Sequence, residues 1–326
     1  MLLNSQNVFS VNVNDYNSLK EAVKGSGTAS EDINLTGNIN NAYDYGRGGA
    51  IYNLASTIIT AADGKSISFS ENHAVNQGGA IFSGVYTGNN ANLVGVGTLD
   101  IKTEGTGSVL FTGNTANYGG AIANSETATI IGDAIKFESN SAKNGGALYL
   151  DKNVNFNIGN SVFRKNCTSA DNGNGWGGAI GLGTNGNING YVENSLFERN
   201  YAGDAGGVVA ANTAITFVNS KFINNSARFS GGAIYNKGIT NITATDSNTV
   251  EFTDNKANST SNDIYNEGTL NLITSVDGKI IFNSGISGNS ANLGTINIGN
   301  DVNSNLGNVI LSSTVSNQNV NLKLCI

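Results

Sequence analysis

One pattern of residues recurs along this chain and leaves few folds open. FSENHAVNQGGAIF at 69–82 is echoed by FTGNTANYGGAI, FESNSAKNGGAL, FERNYAGDAGGVV and FINNSARFSGGAI. In each, Asn follows Phe by three positions and a Gly-Gly pair follows the Asn. The first glycines are Gly48, Gly78, Gly119, Gly145, Gly177, Gly206 and Gly231, spaced by 30, 41, 26, 32, 29 and 25 residues. The paired positions run Phe69/Asn72, Phe111/Asn114, Phe137/Asn140, Phe163/Asn166, Phe197/Asn200, Phe222/Asn225 and Phe252/Asn255. After Phe282 the Asn becomes Gly285, and the next glycine pair is replaced by Ser261-Asn262. Such a period belongs to a repeat protein in which each unit packs on its neighbours.

The unit AITFVNSKFINNSARFSGGAIYNKG holds three short alternating runs, AITFV, SKFIN and GAIYN, each bounded by Asn, Gly or Ser. Period-2 alternation rich in Ile, Val and Phe predicts strands, and no unit carries the 3.6-residue period of a helical solenoid. Three strands in about 25 residues close one triangular coil. The expected fold is all-β, a right-handed parallel β-helix of about ten coils and roughly 45–50 Å. Composition agrees. The chain has no proline and 43 glycines, and 55 asparagines can be counted. Proline interrupts a hydrogen-bond ladder, whereas Gly and Asn tolerate the corners of tight turns. Hydrophobic residues, 39% of the chain, recur at fixed places, which argues against disorder.

In such a stack every repeated position becomes a column. Phe fills a core column, and Asn at a corner bonds to the Asn above and below. Gly-Gly permits a sharp turn without a Cβ meeting the next coil. Ile51, Ile81, Ile122, Leu148, Ile180, Val209 and Ile234 form a second apolar column. Glu138, Arg164 and Glu198 should form a ladder of alternating charge outside. The structural motif residues are therefore Phe69, Asn72, Gly78, Gly79, Phe111, Asn114, Gly119, Gly120, Phe137, Asn140, Gly145, Gly146, Phe222, Asn225, Gly231 and Gly232.

Three segments follow. Residues 1–30 form an N-terminal cap. Ser18 and Glu21 there make a capping box, Leu19, Ala22 and Val23 share one face, and Gly25 stops a short helix lidding the first coil. Residues 31–266 carry the repeats. Residues 267–326 continue the coils and end on an apolar strand, which predicts that the native polypeptide continues.

Partner contacts are expected where the repeat is irregular: an insertion within 83–107, and the stretch 168–176 that ends on Trp176. Trp176 either forms an exposed binding loop or tucks against the flank of the helix. The position after the second apolar column reads Tyr52, Phe82, Ala123, Tyr149, Gly181, Ala210, Tyr235 and Tyr265. Its tolerance of Gly and Ala predicts an outward face on which Tyr52–Phe82 and Tyr235–Tyr265 stack, either to hold a partner or as ladder stacking alone.

The GGA(I/L/V) and FxxN series, from Gly48-Gly49 to Gly231-Gly232 and Phe69/Asn72 to Phe252/Asn255, resembles the chlamydial polymorphic membrane proteins and similar autotransporter passengers. That resemblance implies an exported β-helical passenger on the bacterial outer membrane surface, adhering to host cells through these motifs. It further implies a host-cell surface protein or glycan as partner and a membrane-anchoring domain outside this segment. No signal peptide and no run of barrel strands is seen in the chain itself.

Other classes find little support. A net charge of −7 without a basic run disfavours nucleic acid and anionic membrane. No stretch of about 18 apolar residues spans a bilayer. A polysaccharide lyase or hydrolase is the alternative, and needs carboxylates within about 5–10 Å of one another. Glu138 and Glu198 share a column but flank Arg164, while Asp63, Asp100, Asp133, Asp151, Asp246 and Asp277 read mostly as turn residues. His73, the only histidine, reads as a surface turn residue at a position shared with Thr115 and Ser141. No catalytic residue, metal site or cofactor is expected, and Cys167 and Cys325 should lie too far apart to pair.

Overall fold

The computed structural model describes residues 46–53, 57–84, 98–125, 129–169, 175–184, 187–275, 277–300 and 307–323, preceded by the strands Val11–Val13, Gly27–Ala29 and Ile33–Leu35. They form a parallel β-solenoid. Its faces are an 11-stranded sheet carrying the phenylalanines, a 9-stranded sheet after the glycine pairs and a third sheet of 11 strands. A narrow 6-stranded sheet occupies the corner after the asparagines. The pairs are parallel apart from one hairpin, Lys256–Ala257 with Thr260–Ser261.

Alternation decides which way each residue faces. In Ala214–Val218 the side chains of Ile215 and Phe217 are buried, and in Lys221–Ile223 that of Phe222 is. Register carries this from floor to floor: Phe69 lies opposite Phe111, then Phe137, Phe163, Phe197, Phe222, Phe252 and Phe282. All eight rings are buried. Consecutive rings stack face on, with centroids 4.6 Å apart for Phe69–Phe111 and 4.3 Å for Phe222–Phe252. Phe217 closes on Phe222 edge-on at 5.0 Å. Removing each ring from water stabilises the fold by about 1.5–3 kcal/mol. The second apolar column is equally in register, Ile51 on Ile81, Ile122, Leu148, Ile180, Val209 and Ile234.

Asn72, Asn114, Asn140, Asn166, Asn200, Asn225 and Asn255 are buried one above the next. Asn72 donates to Asn114, and from Asn114 onward each accepts and donates. The Oδ1 of Asn140 accepts from the backbone N–H and Nδ2 of Asn114 at 3.1 and 2.9 Å. Its own Nδ2 donates to Asn166 Oδ1 and to the carbonyl of Phe111, both at 3.0 Å. The same bond to the Phe carbonyl one floor below recurs from Asn114 to Phe69 and from Asn255 to Phe222. The fixed interval between Phe and Asn follows: the amide must reach both the next amide and that carbonyl. The residue before each Asn takes a positive φ to aim it, Lys165 at 54° and Arg199 at 55°.

Gly78 and Gly79 are required for different reasons. Gly78 has φ 65° and its Cβ would collide with the Ile81 carbonyl. Gly79 has ordinary backbone angles, but a Cβ there would penetrate the Gly120 carbonyl of the next floor. The other pairs repeat this arrangement.

Two expectations change. The regular stack counts about eight turns, one for each Phe from Phe69 to Phe282, rather than about ten. The segment 1–30 is also not wholly a cap. Val11–Val13 pairs with Ile33–Leu35 and Gly27–Ala29 with Ile59–Ala61, because extended alternating residues find sheet partners there. The helix proposed across Ser18–Gly25 lies outside the described residues.

A serine ladder at another corner complements the asparagines. The N–H groups of Ile135, Ser161 and Ser195 donate to the hydroxyls of Ser161, Ser195 and Ser220 at 3.1, 3.1 and 3.2 Å.

Replacing Asn140 by Ala removes four hydrogen bonds from a dry column. The expected loss is about 3 kcal/mol in urea unfolding, with hydrogen exchange accelerating in the floors of Asn114 and Asn166. Gly79→Ala should cost at least as much. Gly64→Ala should cost only about 1–2 kcal/mol, since Gly64 has φ 69° but a Cβ there would meet only Thr106 Oγ1, at an ordinary 4.0 Å. Equal losses at Gly64 and Gly79 would refute the close-approach account.

Candidate functional site

With Phe, Asn and Gly-Gly committed to packing, a site must be built from what projects outward. The aromatic column is the first candidate, and its register is as expected: Tyr52 stacks on Phe82 at 5.2 Å and Tyr235 on Tyr265 at 5.6 Å. Its exposure is not. Phe82, Ala123, Ala210 and Tyr235 are buried, while Tyr52, Tyr149 and Tyr265 are half-buried. The cause is the chain between each Asn corner and its glycine pair. Arg47, Gln77, Tyr118 and Asn144 align there as successive bridges and lie over the column. Arg47 sits 5.3 Å above the Phe82 ring and its Nε donates to Gln77 Oε1 at 2.7 Å. Tyr118 packs on Tyr149 at 4.8 Å. Gly and Ala are accepted in this column because backbone covers it, not because solvent does.

Trp176 tucks in. It is half-buried, its ring tilted over Tyr235 at 5.3 Å, and Asn144 Oδ1 accepts from the N–H groups of Gly175 and Trp176 at 3.1 Å. Between Tyr149 and Trp176 the column drops to Gly181, and a cleft of about 350 Å³ opens there with Thr184, Asn212 and Lys237 at its rim. The Lys237 ammonium lies 5.3 Å from the centre of the Tyr235 ring and 3.6 Å from Glu267. Its hydrogen bond to Tyr235 raises the lysine pKa. Two aromatic walls with amide and hydroxyl groups between them suit a small polar ligand with an apolar face. Residues 85–97 and 170–174, which hold most of the two insertions, lie outside the described residues.

The third sheet presents a second ladder that the repeat pattern did not announce. Asn321 donates to Asn297 at 3.0 Å, Asn297 to Asn271 at 2.8 Å, Asn271 to Asn241 at 2.7 Å and Asn241 to Thr216 at 3.0 Å. These residues face out, so the ladder is a flat polar strip. The alternation in NITA, NLIT and NIGN carried the signal.

Acidic groups are dispersed. Glu138, Arg164 and Glu198 share a register, and Arg164 Nε pairs with Glu198 at 2.8 Å. Asp63 is fully exposed at a turn, and hydrogen bonds from the Thr106 N–H and hydroxyl hold its carboxyl below the usual range. Asp100 lies within a strand rather than at a turn, 3.4 Å from Lys102, because Leu99 and Ile101 point inward on either side of it. Exposed His73 bonds Thr115 Oγ1 at 2.8 Å. Among the described residues no three His, Cys, Asp or Glu side chains gather to hold a metal ion. Cys167 is free and half-buried, and burial pushes its thiol pKa up. Cys325 lies outside the described residues.

Asp263 is the buried acid that the reading of the sequence missed. It stands at the lost glycine pair, and Asn255, last of the ladder, donates to its Oδ1 at 2.8 Å. The Ser284 N–H donates to Oδ2 at 2.7 Å. The carboxylate thus takes the place of the missing eighth Asn. Burial pushes it up to about 6, against the pull of the Asn255 and Ser284 hydrogen bonds.

Four segments of the chain, 66–84, 108–125, 134–151 and 219–237, match the family model of the Chlamydia polymorphic membrane protein (Chlamydia_PMP) repeat. Each runs from the phenylalanine strand round the Asn corner and through the glycine pair. No curated protein and no solved structure matches the chain.

Because folded Asp263 holds its proton more tightly than the unfolded chain, its contribution favours the fold at low pH. It declines as pH rises from about 4 to about 6, a change of up to about 3 kcal/mol. Asp263→Asn should flatten that slope in denaturation midpoints compared at pH 4.5 and pH 7. An unchanged slope would assign it to other groups.

Proposed function

We propose that this chain, which carries Chlamydia polymorphic membrane protein repeats at four places, is a surface-exposed, non-catalytic passenger segment that acts as an adhesin. It works outside the bacterial cell, at the outer membrane surface, and its partner is a protein or glycan of a host cell.

One observation carries this reading. The residues that recur are consumed in holding floors together, so the repeats serve a long rigid body and not a reaction. The outward positions differ from floor to floor, as a recognition surface needs. Half-buried Trp176 and Tyr265, with the cleft between Tyr149 and Trp176, are the contact area of choice, since aromatic side chains are the commonest anchors of binding energy. The acids offer no comparable support for hydrolysis, for Glu198 is neutralised by Arg164 and Asp100 is paired with Lys102.

Beads coated with the protein should bind epithelial cells well above albumin-coated beads. Trp176→Ala combined with Tyr265→Ala should cut binding at least about fivefold while the far-ultraviolet spectrum stays that of folded β-sheet. Background-level binding of the unmodified protein would overturn the adhesin role. Release of reducing ends or unsaturated products from a polysaccharide panel would overturn the non-catalytic one.

A further inference from the structure

At the corner that follows the asparagines, we propose that the groove along the narrow sheet binds an acidic sugar unit, one carrying a carboxylate or a sulfate. Tyr201–Ala202, Ser226–Ala227 and Lys256–Ala257 pair in register there. The alanines point in and are buried, while Tyr201, Ser226 and Lys256 point out. Together with Arg228, Asn258 and Ser259 they line a groove of about 460 Å³. That volume lies in the range of small-ligand sites.

The groove exists because the repeat fails at this floor. Where the preceding floors continue towards Gly-Gly, residues Lys256–Ser261 fold back as the hairpin that ends the sheet. Its two central residues, Asn258 and Ser259, take φ of 48° and 62°. Asn258 suits a positive φ but Ser259 does not, which marks Ser259 as a position the surroundings enforce. It closes one end of the groove and brings the Asn258 amide and Ser259 hydroxyl beside Lys256.

The chemistry of the lining is one-sided. No carboxylate lines the groove, on a chain of net charge −7. Among the described residues neither Arg228 nor Lys256 has an acid within ion-pair distance, whereas the half-buried acids Asp100, Glu198 and Glu267 each have a cation beside them. The Arg228 guanidinium rests 4.8 Å over the ring of Phe229. That stacking fixes its plane and leaves the N–H edge to fork onto two oxygens of one carboxylate or sulfate. Tyr201 is 41% exposed and Phe229 56%, so a flat apolar surface for the C–H face of a sugar ring stands beside the cations. The side chains of Ser226, Asn258 and Ser259 make no hydrogen bond within the described residues and remain available to hydroxyl groups of the ligand. An acidic peptide would satisfy the cations but leave the ring surface unused, so the sugar fits better. Asp204 is a competitor from outside the lining: burial raises its pKa, and the Arg228 charge pulls it back down without an ion pair.

This inference shares with the adhesin reading only the premise that the outer faces make contacts. It is measured on soluble probes without cells, so either can fail alone. Calorimetric titration of the whole protein compares a galacturonate disaccharide, a sulfated chondroitin disaccharide, neutral N-acetyllactosamine, inorganic sulfate and a glutamate peptide. One or both acidic disaccharides should bind at about millimolar concentration and weaken as salt rises from about 50 to 300 mM. Arg228→Gln and Lys256→Gln should each lower affinity about fivefold or more. Tyr201→Ala should lower it while Tyr201→Phe retains it, and Asp204→Asn should raise it. All variants lie on the surface, and an unchanged circular dichroism spectrum verifies their folding. Equal binding of the neutral sugar, of sulfate alone or of the glutamate peptide would overturn the assignment, as would unaltered affinity in Arg228→Gln and Lys256→Gln or no binding of either acidic disaccharide.

Discussion

The structure depends on a single demand, that an amide buried at a corner must find another amide directly above it. An Asn side chain has two donor hydrogens and one acceptor oxygen, and in a dry column each unmet group costs about 1–3 kcal/mol. From Asn72 to Asn255 the floors meet that demand by presenting Asn at one height. A strand slipped by one residue would turn every Phe outward and set each amide against an apolar neighbour. Register is therefore held by polar groups and filled by apolar ones. The Phe stack and the Ile column supply most of the stabilisation, but they would tolerate small displacements that the amides do not.

Backbone approach is the second constraint, and it follows from the first. To let the amides meet, the floors after each corner must close on one another, and the second glycine of each pair lies against the carbonyl of its counterpart above. The same closeness brings the chain before each pair over the aromatic column. Phe82 and Tyr235 are covered for the same reason that Gly79 and Gly232 have no side chain. Where the glycines are absent, at Ser261-Asn262, the chain bulges into a hairpin, a buried carboxylate ends the Asn ladder, and a groove appears beside it. Surface chemistry thus concentrates where the packing rule is relaxed.

The fold was legible because a repeat displays each packing decision many times over. Alternation in AITFV and SKFIN told strand from helix, and the Phe-to-Asn interval marked a corner. The charge column was half legible: Arg164 meets Glu198 as register demands. The outward Asn ladder from Asn241 to Asn321 and the serines at Ser161, Ser195 and Ser220 escaped notice, since they sit outside the strongest pattern and repeat over fewer floors. Asp263 escaped because a single acid at a decayed repeat looks like any turn residue until its neighbours are placed.

Sequence alone determined the solenoid, its strand pairing and the identity of its three main columns, because one-dimensional periodicity maps directly onto vertical stacking. Tertiary structure decided what each face of a column meets. The packed floors cover Tyr235 with Trp176 from two floors away, turn the Arg228 guanidinium over its neighbour Phe229, and bury Asp263 under Asn255. Periodicity says which residues stand above one another, but which are then covered depends on how closely the intervening backbone approaches, and that distance is set only when all the floors are closed together.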